Sequence, residues 1–284
     1  MINSNVRWNR VLLFGGVFLM LLGAFHLVIQ LIAPRPWESN IGWRKPILFG
    51  LSTGITLVSL SWVVAVVKNR REWVPAAIVS VLACAEVLII TIQTWRSVPA
   101  HFNNGSAVDQ MLANSIDAML VLITLTIFYL TWQSFKSQNI ESDWLLSLRL
   151  GMIYLSFSCL LGFGVAIYGN LRLGIGGDPT VVNPNGVPKF IHGMPLHALQ
   201  ILPALVFFLR LVNTNIDRRK TAVWFVSHAV ALATLYAFWQ TVNGMGRFEI
   251  NPVGVLLLSG SGICGLAALF FALPLQIKTR TFLG

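Results

Sequence analysis

The stretch RVLLFGGVFLMLLGAFHLVIQLIA (residues 10–33) decides the fold class. After Arg10 it carries no charged residue over 23 positions. As a helix it spans about 35 Å at 1.5 Å per residue, enough to cross a hydrocarbon core of roughly 30 Å. It is too long for a signal-peptide core and has no small-residue cleavage site, so it reads as a retained first transmembrane helix.

Seven further apolar runs follow: Pro46–Val67, Pro75–Thr94, Asn114–Phe135, Trp144–Tyr168, Gly193–Val212, Thr221–Val242 and Val253–Gln276. Each is continuously apolar. Strands of a membrane barrel would instead alternate over about ten residues. Composition agrees: 56% of residues are hydrophobic and 11% charged, against about 25% charged in soluble domains. A mean hydropathy of +0.73 makes a lipid bilayer the natural solvent. The expectation is an all-α polytopic membrane protein of about eight helices, with residues 1–284 forming a single bundle.

Basic residues set the expected orientation. The side holding the N-terminus carries 13: Arg7, Arg10, Lys68, Arg70, Arg71, Lys136, Arg149, Arg210, Arg218, Arg219, Lys220, Lys278 and Arg280. The other side carries 7: Arg35, Arg44, Lys45, Arg96, Arg172, Lys189 and Arg247. Both termini are therefore expected in the cytoplasm, in a bacterial cytoplasmic membrane. The net charge of +10 is a topology signal, and no nucleic-acid partner is expected, because the cytoplasmic loops are too short for a binding domain. Nine of the ten tryptophans lie near span ends, where an indole N–H stays at the wet interface. Cys84, Cys159 and Cys264 all fall in apolar runs, with no Cys-x-x-Cys pair for zinc or redox work.

The connections on the two sides differ. Cytoplasmic ones are short and charged (KNRRE, SQNIESD, NTNIDRRK). The outer ones, such as TWRSVPAHFNNGSAVD and GNLRLGIGGDPTVVNPNGVPKFIHG, mix charged, aromatic and turn residues, which suits ordered lids packed on the bundle. Three stretches, IGWRKPILFGLS (41–52), IQTWRSVPAHFN (92–103) and KFIHGMPLHALQILP (189–203), resemble an uncharacterised family of bacterial multi-pass membrane proteins. Trp43, Lys45 and Pro46 match that family's Trp-x-Lys-Pro pattern, and the His-Ala-Leu-Gln pattern falls at His197–Gln200. Ser97 and Ala100 depart from it, standing where the family has glycine and serine. The resemblance implies the multi-pass topology and points at these segments; it implies no reaction.

Polar groups inside the spans are the site candidates, because hydrocarbon penalises them unless they face a bundle interior. His197 and Gln200 share a helical face, and Pro203 frees the carbonyl of Leu199. Pro195 suits the first turn of that helix. In the third helix Glu86 lies near mid-membrane, with Gln93, Arg96 and Ser97 along one stripe. Glu86, Gln93 and His197 are expected to face one cavity, lidded by residues 170–193. His26 and Gln30 share a face of the first helix. Asp117 lies a turn inside the fourth, His101 and His192 are placed at the surface, and His228 reads as a packed core residue. The depths of His26 and His197, about 12 and 6 Å below the outer end, agree within boundary error. As a pair they suit a b-type haem or a metal ion.

Four functions compete. One is a pocket near the extracytoplasmic face, lined by His26, Glu86, Gln93, Arg96, His101, Asp117, His197 and Gln200, that binds a small or lipid-like ligand, with transport as one outcome. The second is a haem- or quinone-using redox protein, the third an intramembrane enzyme acting on a lipid-like substrate, and the fourth an assembly or structural subunit with no chemistry.

Overall fold

A computed structural model describes residues 6–67, 73–137 and 140–272, with side chains from Arg10. Lys68, Arg70, Arg71, Lys278, Arg280 and the Arg7 side chain, all used for orientation above, lie outside the described residues, as do positions 273–276 of the last apolar run. Nine helices are described: α1 (Val6–Ile32), α2 (Arg44–Val67), α3 (Trp73–Trp95), α4 (Ala107–Lys136), α5 (Ser142–Gly174), α6 (Pro188–Leu196), α7 (Ala198–Leu211), α8 (Ile216–Val242) and α9 (Pro252–Ala272). Together α6 and α7 make one crossing, Pro188–Leu211, so eight segments are long and apolar enough to span a membrane. Loops 33–43, 96–106, 175–187 and 243–251 share one end, called here the long-loop face; the opposite end is the termini face.

The closest helix pair is α1 and α2, and glycine is the cause. A Cβ on Gly50 would stand 2.8 Å from the Cα of Gly23 and the carbonyl of Leu19; one on Gly54 would stand 2.6 Å from the Met20 side chain and 2.7 Å from the carbonyl of Gly16. Gly50 and Gly54 form a Gly-x-x-x-Gly seam, which lets two backbones touch where lipid offers no hydrophobic drive to associate. Leu12, Leu57, Leu60, Val79, Leu130 and Met152 fill the core between α1 and α5. At the termini face the fully buried Asp143 of α5 accepts hydrogen bonds from Arg210 of α7 and Arg219 of α8. Large apolar side chains such as Phe14, Leu21, Leu125 and Leu266 cover the outside. In water that surface would aggregate; acyl chains solvate it.

Two details correct the sequence reading. The sixth span starts at Pro188, not near Gly193, and it breaks at His197 (φ −91°, ψ 5°). Pro195 is therefore inside α6, where it withdraws the N–H that Ile191 would bond and crowds its carbonyl, so the helix stops two residues later. Pro203 lies within α7 without ending it. His228 is exposed on α8, its Nδ1 bonded to Trp224 of its own helix at 2.7 Å, so it faces outward and is not a core residue.

Candidate functional site

Three adjoining cavities open towards the long-loop face, and Phe49 and Lys189 line all of them. The outermost is a vestibule of about 430 Å³ between Trp37, Arg44, Lys45, Lys189, Arg247 and Phe248. Beside it lies a chamber of about 280 Å³ holding Lys45, Glu86, His101, Asp117 and His192 beneath Pro179 and Thr180. Deeper is a largely apolar body of about 720 Å³, walled by residues such as Leu57, Leu60, Ile123, Ile127 and Leu155, with Glu86, Lys189, His192 and His197 among its ionisable groups. The vestibule and the body fall in the range of small-molecule sites, about 300–1,000 Å³, and the chamber just below it.

Backbone features aim the polar groups. Lys45 occupies the first turn of α2, just after a loop that Arg35 ties down by donating to Ile41 (3.0 Å) and Thr94 (2.9 Å) and by covering the Trp43 ring at 3.9 Å. His101 is delivered by a loop whose next residue, Phe102, has φ 54°. That conformation is costly for a bulky residue and persists because the Phe102 ring packs against Gly169, where a Cβ would collide with it. The loop 175–187 is anchored by Tyr168, which donates to Val181 (2.8 Å), and by Asn185, whose N–H donates to Gly244 (2.8 Å). It is an ordered lid, shorter than the 24-residue connection expected because α5 runs on to Gly174.

Partnering separates these groups. Among the described residues, the side chains of Lys45, Lys189, Glu86 and His197 have no hydrogen bond or ion pair. Asp117 accepts from Asn170 at 2.9 Å. Nδ1 of His192 lies 2.7 Å from the carbonyl of Ser158, which only accepts, so Nδ1 carries the proton and Nε2 is left as an acceptor. Nε2 of His101 is buried with no partner. Burial, aided by the Lys45 charge, pushes His101 down to about 3, so its ring is neutral at ordinary pH. Neither His101 nor His192 is the surface residue the sequence suggested. Glu38, at the vestibule rim, is held below the usual carboxylate range by its hydrogen bond from Arg44.

Of the eight sequence candidates, Glu86, His101, Asp117 and His197 line these cavities. The others are placed elsewhere. Both ring nitrogens of His26 are engaged: Nδ1 with Leu22 (2.8 Å), while Nε2 accepts from Trp95 Nε1 (3.0 Å). It sits in a cluster with Trp43 and Trp95, so it does not pair with His197 across one cavity, and the geometry gives no two-histidine haem or metal ligation. Gln93 and the exposed Arg96 both bond the buried Asp109, at 2.9 and 2.7 Å, bracing the end of α3 against α4; Gln93 does not share the cavity of Glu86 and His197. Gln200 stands behind the wall, donating to Thr56 at 3.4 Å. Among the described residues no group of three or more His, Cys, Asp and Glu is placed to hold a metal ion.

Sequence reading missed Lys45, Lys189 and Arg247 as site residues, counting them for topology and placing Lys45 and Lys189 in the stretches that carry the family resemblance. The available signal was position: Lys45 and Lys189 each flank a proline at the start of a span, which fixes them at the cavity mouth.

Fold and cavities together define a multi-pass helical membrane protein with a basic vestibule over an apolar interior. No family model, characterised protein or solved structure matches the chain.

Proposed function

We propose that the chain binds a small or lipid-like ligand in these joined cavities, with the long-loop face extracytoplasmic in a bacterial cytoplasmic membrane. The observation that carries this reading is the convergence of Lys45, Lys189, Glu86 and His197, from α2, α6, α3 and the α6–α7 break, as unpartnered polar groups around one interior. A purely structural cluster would satisfy its members with one another, as Asp109 and Asp143 are satisfied here. The excess of 13 basic residues to 7 that the sequence puts on the side of the N-terminus supports the orientation. Cysteine labelling at Asn104 and Lys220 in intact cells tests it; labelling of Lys220 alone from outside inverts the topology.

His197→Ala tests the binding role. Its ring has no hydrogen-bond partner among the described residues, so the melting temperature should hold while a co-purifying ligand, read by native mass spectrometry, is lost. Full occupancy with a large drop in melting temperature refutes the reading. An intramembrane enzyme is the second reading, drawn from Glu86, Asp117 and the free Nε2 of His192 in one chamber, an acid–base set. Turnover of lipid that stops in Glu86→Gln would favour it over binding alone.

A further inference from the structure

Resting on that binding reading, we infer that the ligand is an anionic amphiphile, with its acidic head among Lys45, Lys189 and Arg247 and its hydrocarbon part in the apolar body. Charge comes first. The vestibule gathers Arg44, Lys45, Lys189 and Arg247 against a single acid, Glu38, which is already paired with Arg44. That leaves three cations without an ion pair among the described residues, on walls partly built of Trp37, Phe49, Phe190 and Phe248. Several cations partly withdrawn from water repel one another, and an anion arriving between them relieves that cost. A carboxylate or a phosphate supplies it equally well.

The second observation is the body behind the vestibule. The two share Leu48, Phe49, Lys189 and Gly193, so one molecule can occupy both. A free inorganic anion would use only the mouth and leave the apolar body without a role. The body is also open at hydrocarbon depth: Ile55 lines it and is exposed, eleven residues, or about 16 Å, along α2. A molecule entering from the bilayer therefore meets apolar wall along its chain and positive charge at the level of its head. Glu86 and Asp117 line the chamber and not the vestibule, so the positive charge available to an anionic head is gathered at the mouth.

Gly193 gives the sharpest test. It lines both vestibule and body, and a Cβ there would meet nothing within 4 Å. The Cβ of Gly193→Leu therefore enters open space, its branched end should fill the junction, and inside a helix the change carries no propensity cost. The experiment uses the full chain in an uncharged maltoside detergent. It is titrated with lysophosphatidylglycerol, with lysophosphatidylcholine of the same chain, and with inorganic phosphate. Binding is followed by tryptophan fluorescence, since Trp37 lines the vestibule.

Lysophosphatidylglycerol should bind at least tenfold more tightly than the choline lipid and a hundredfold more tightly than phosphate. Lys45→Gln with Lys189→Gln should remove the preference for the glycerol lipid, Lys45→Arg with Lys189→Arg should keep it, and Gly193→Leu should weaken both lipids at unchanged melting temperature. Equal binding of the two lipids overturns the charged head while leaving the cavity a ligand site. Phosphate binding as tightly as the lipid overturns the amphiphile. Failure of all three probes, with native mass spectrometry of His197→Ala matching wild type, sinks the binding reading itself.

Discussion

Replacing Asp143 by Asn removes a charge and almost no volume, so the loss in stability reports the ion cluster at the termini face. The carboxylate is fully buried and takes three hydrogen bonds: from Arg210 at 3.1 and 2.6 Å and from Arg219 at 2.6 Å. Breaking a buried pair by removing one partner costs about 3–5 kcal/mol. The lower end applies here, because Arg210 keeps Glu141, which it grips at 2.9 and 2.7 Å. Arg219 is the group left stranded: its side chain is 12% exposed and retains only the Thr214 carbonyl. A loss of about 3 kcal/mol corresponds to roughly 6–12 °C in melting temperature for a chain of this size. The assay is thermal unfolding in detergent, with Glu141→Gln as control. Glu141 lies at the surface, so its variant should shift the transition by no more than about 4 °C. Adding Arg219→Gln to Asp143→Asn should recover part of the loss, since it removes the stranded charge. If Asp143→Asn melts no earlier than Glu141→Gln, the cluster does not hold α5, α7 and α8 together.

Gly54→Leu should cost more than about 2 kcal/mol and reduce the yield of folded protein, because its side chain would drive into Met20 and the Gly16 carbonyl; normal thermal stability would refute the glycine seam. His101 should give a pH signature. Folding favours its neutral ring, so its stabilising effect is whole above about pH 6.5 and declines as pH falls towards 3, where the folded form also protonates. Melting temperature measured from pH 7 to 5 should therefore fall more steeply in wild type than in His101→Gln, and parallel curves would contradict the burial of that ring. His228→Ala should shift stability by less than about 0.5 kcal/mol, as its imidazole is exposed and bonded only within its own helix.

The eight crossings were legible because a continuous apolar run of helical length has few other meanings. The site was half legible. Glu86, Asp117 and His197 stood out because a polar side chain inside such a run needs a reason. Their grouping did not, because it depends on helix rotation and on which neighbour each face meets. Gln93 and Arg96 lie on the stripe of Glu86 and yet turn to Asp109, a partner sixteen residues from Gln93 that only the fold brings close. His26 looked like a ligand by depth, but the indole of Trp95, 69 residues away, takes its free nitrogen. Lys45 and Lys189 were hidden for the opposite reason, since a lysine at a span end is ordinary.

The seam between α1 and α2 also divides α2 by how freely it can change. Gly50 and Gly54 face the backbone of α1 and admit nothing larger. Ser52, Thr53 and Thr56, on the same two turns, face the apolar body. Across relatives of this chain, the two glycines should therefore be fixed, and the three hydroxyl positions should vary with what the cavity holds. A change of specificity would be written in residues 52, 53 and 56, a few ångströms from a surface that tolerates no change at all.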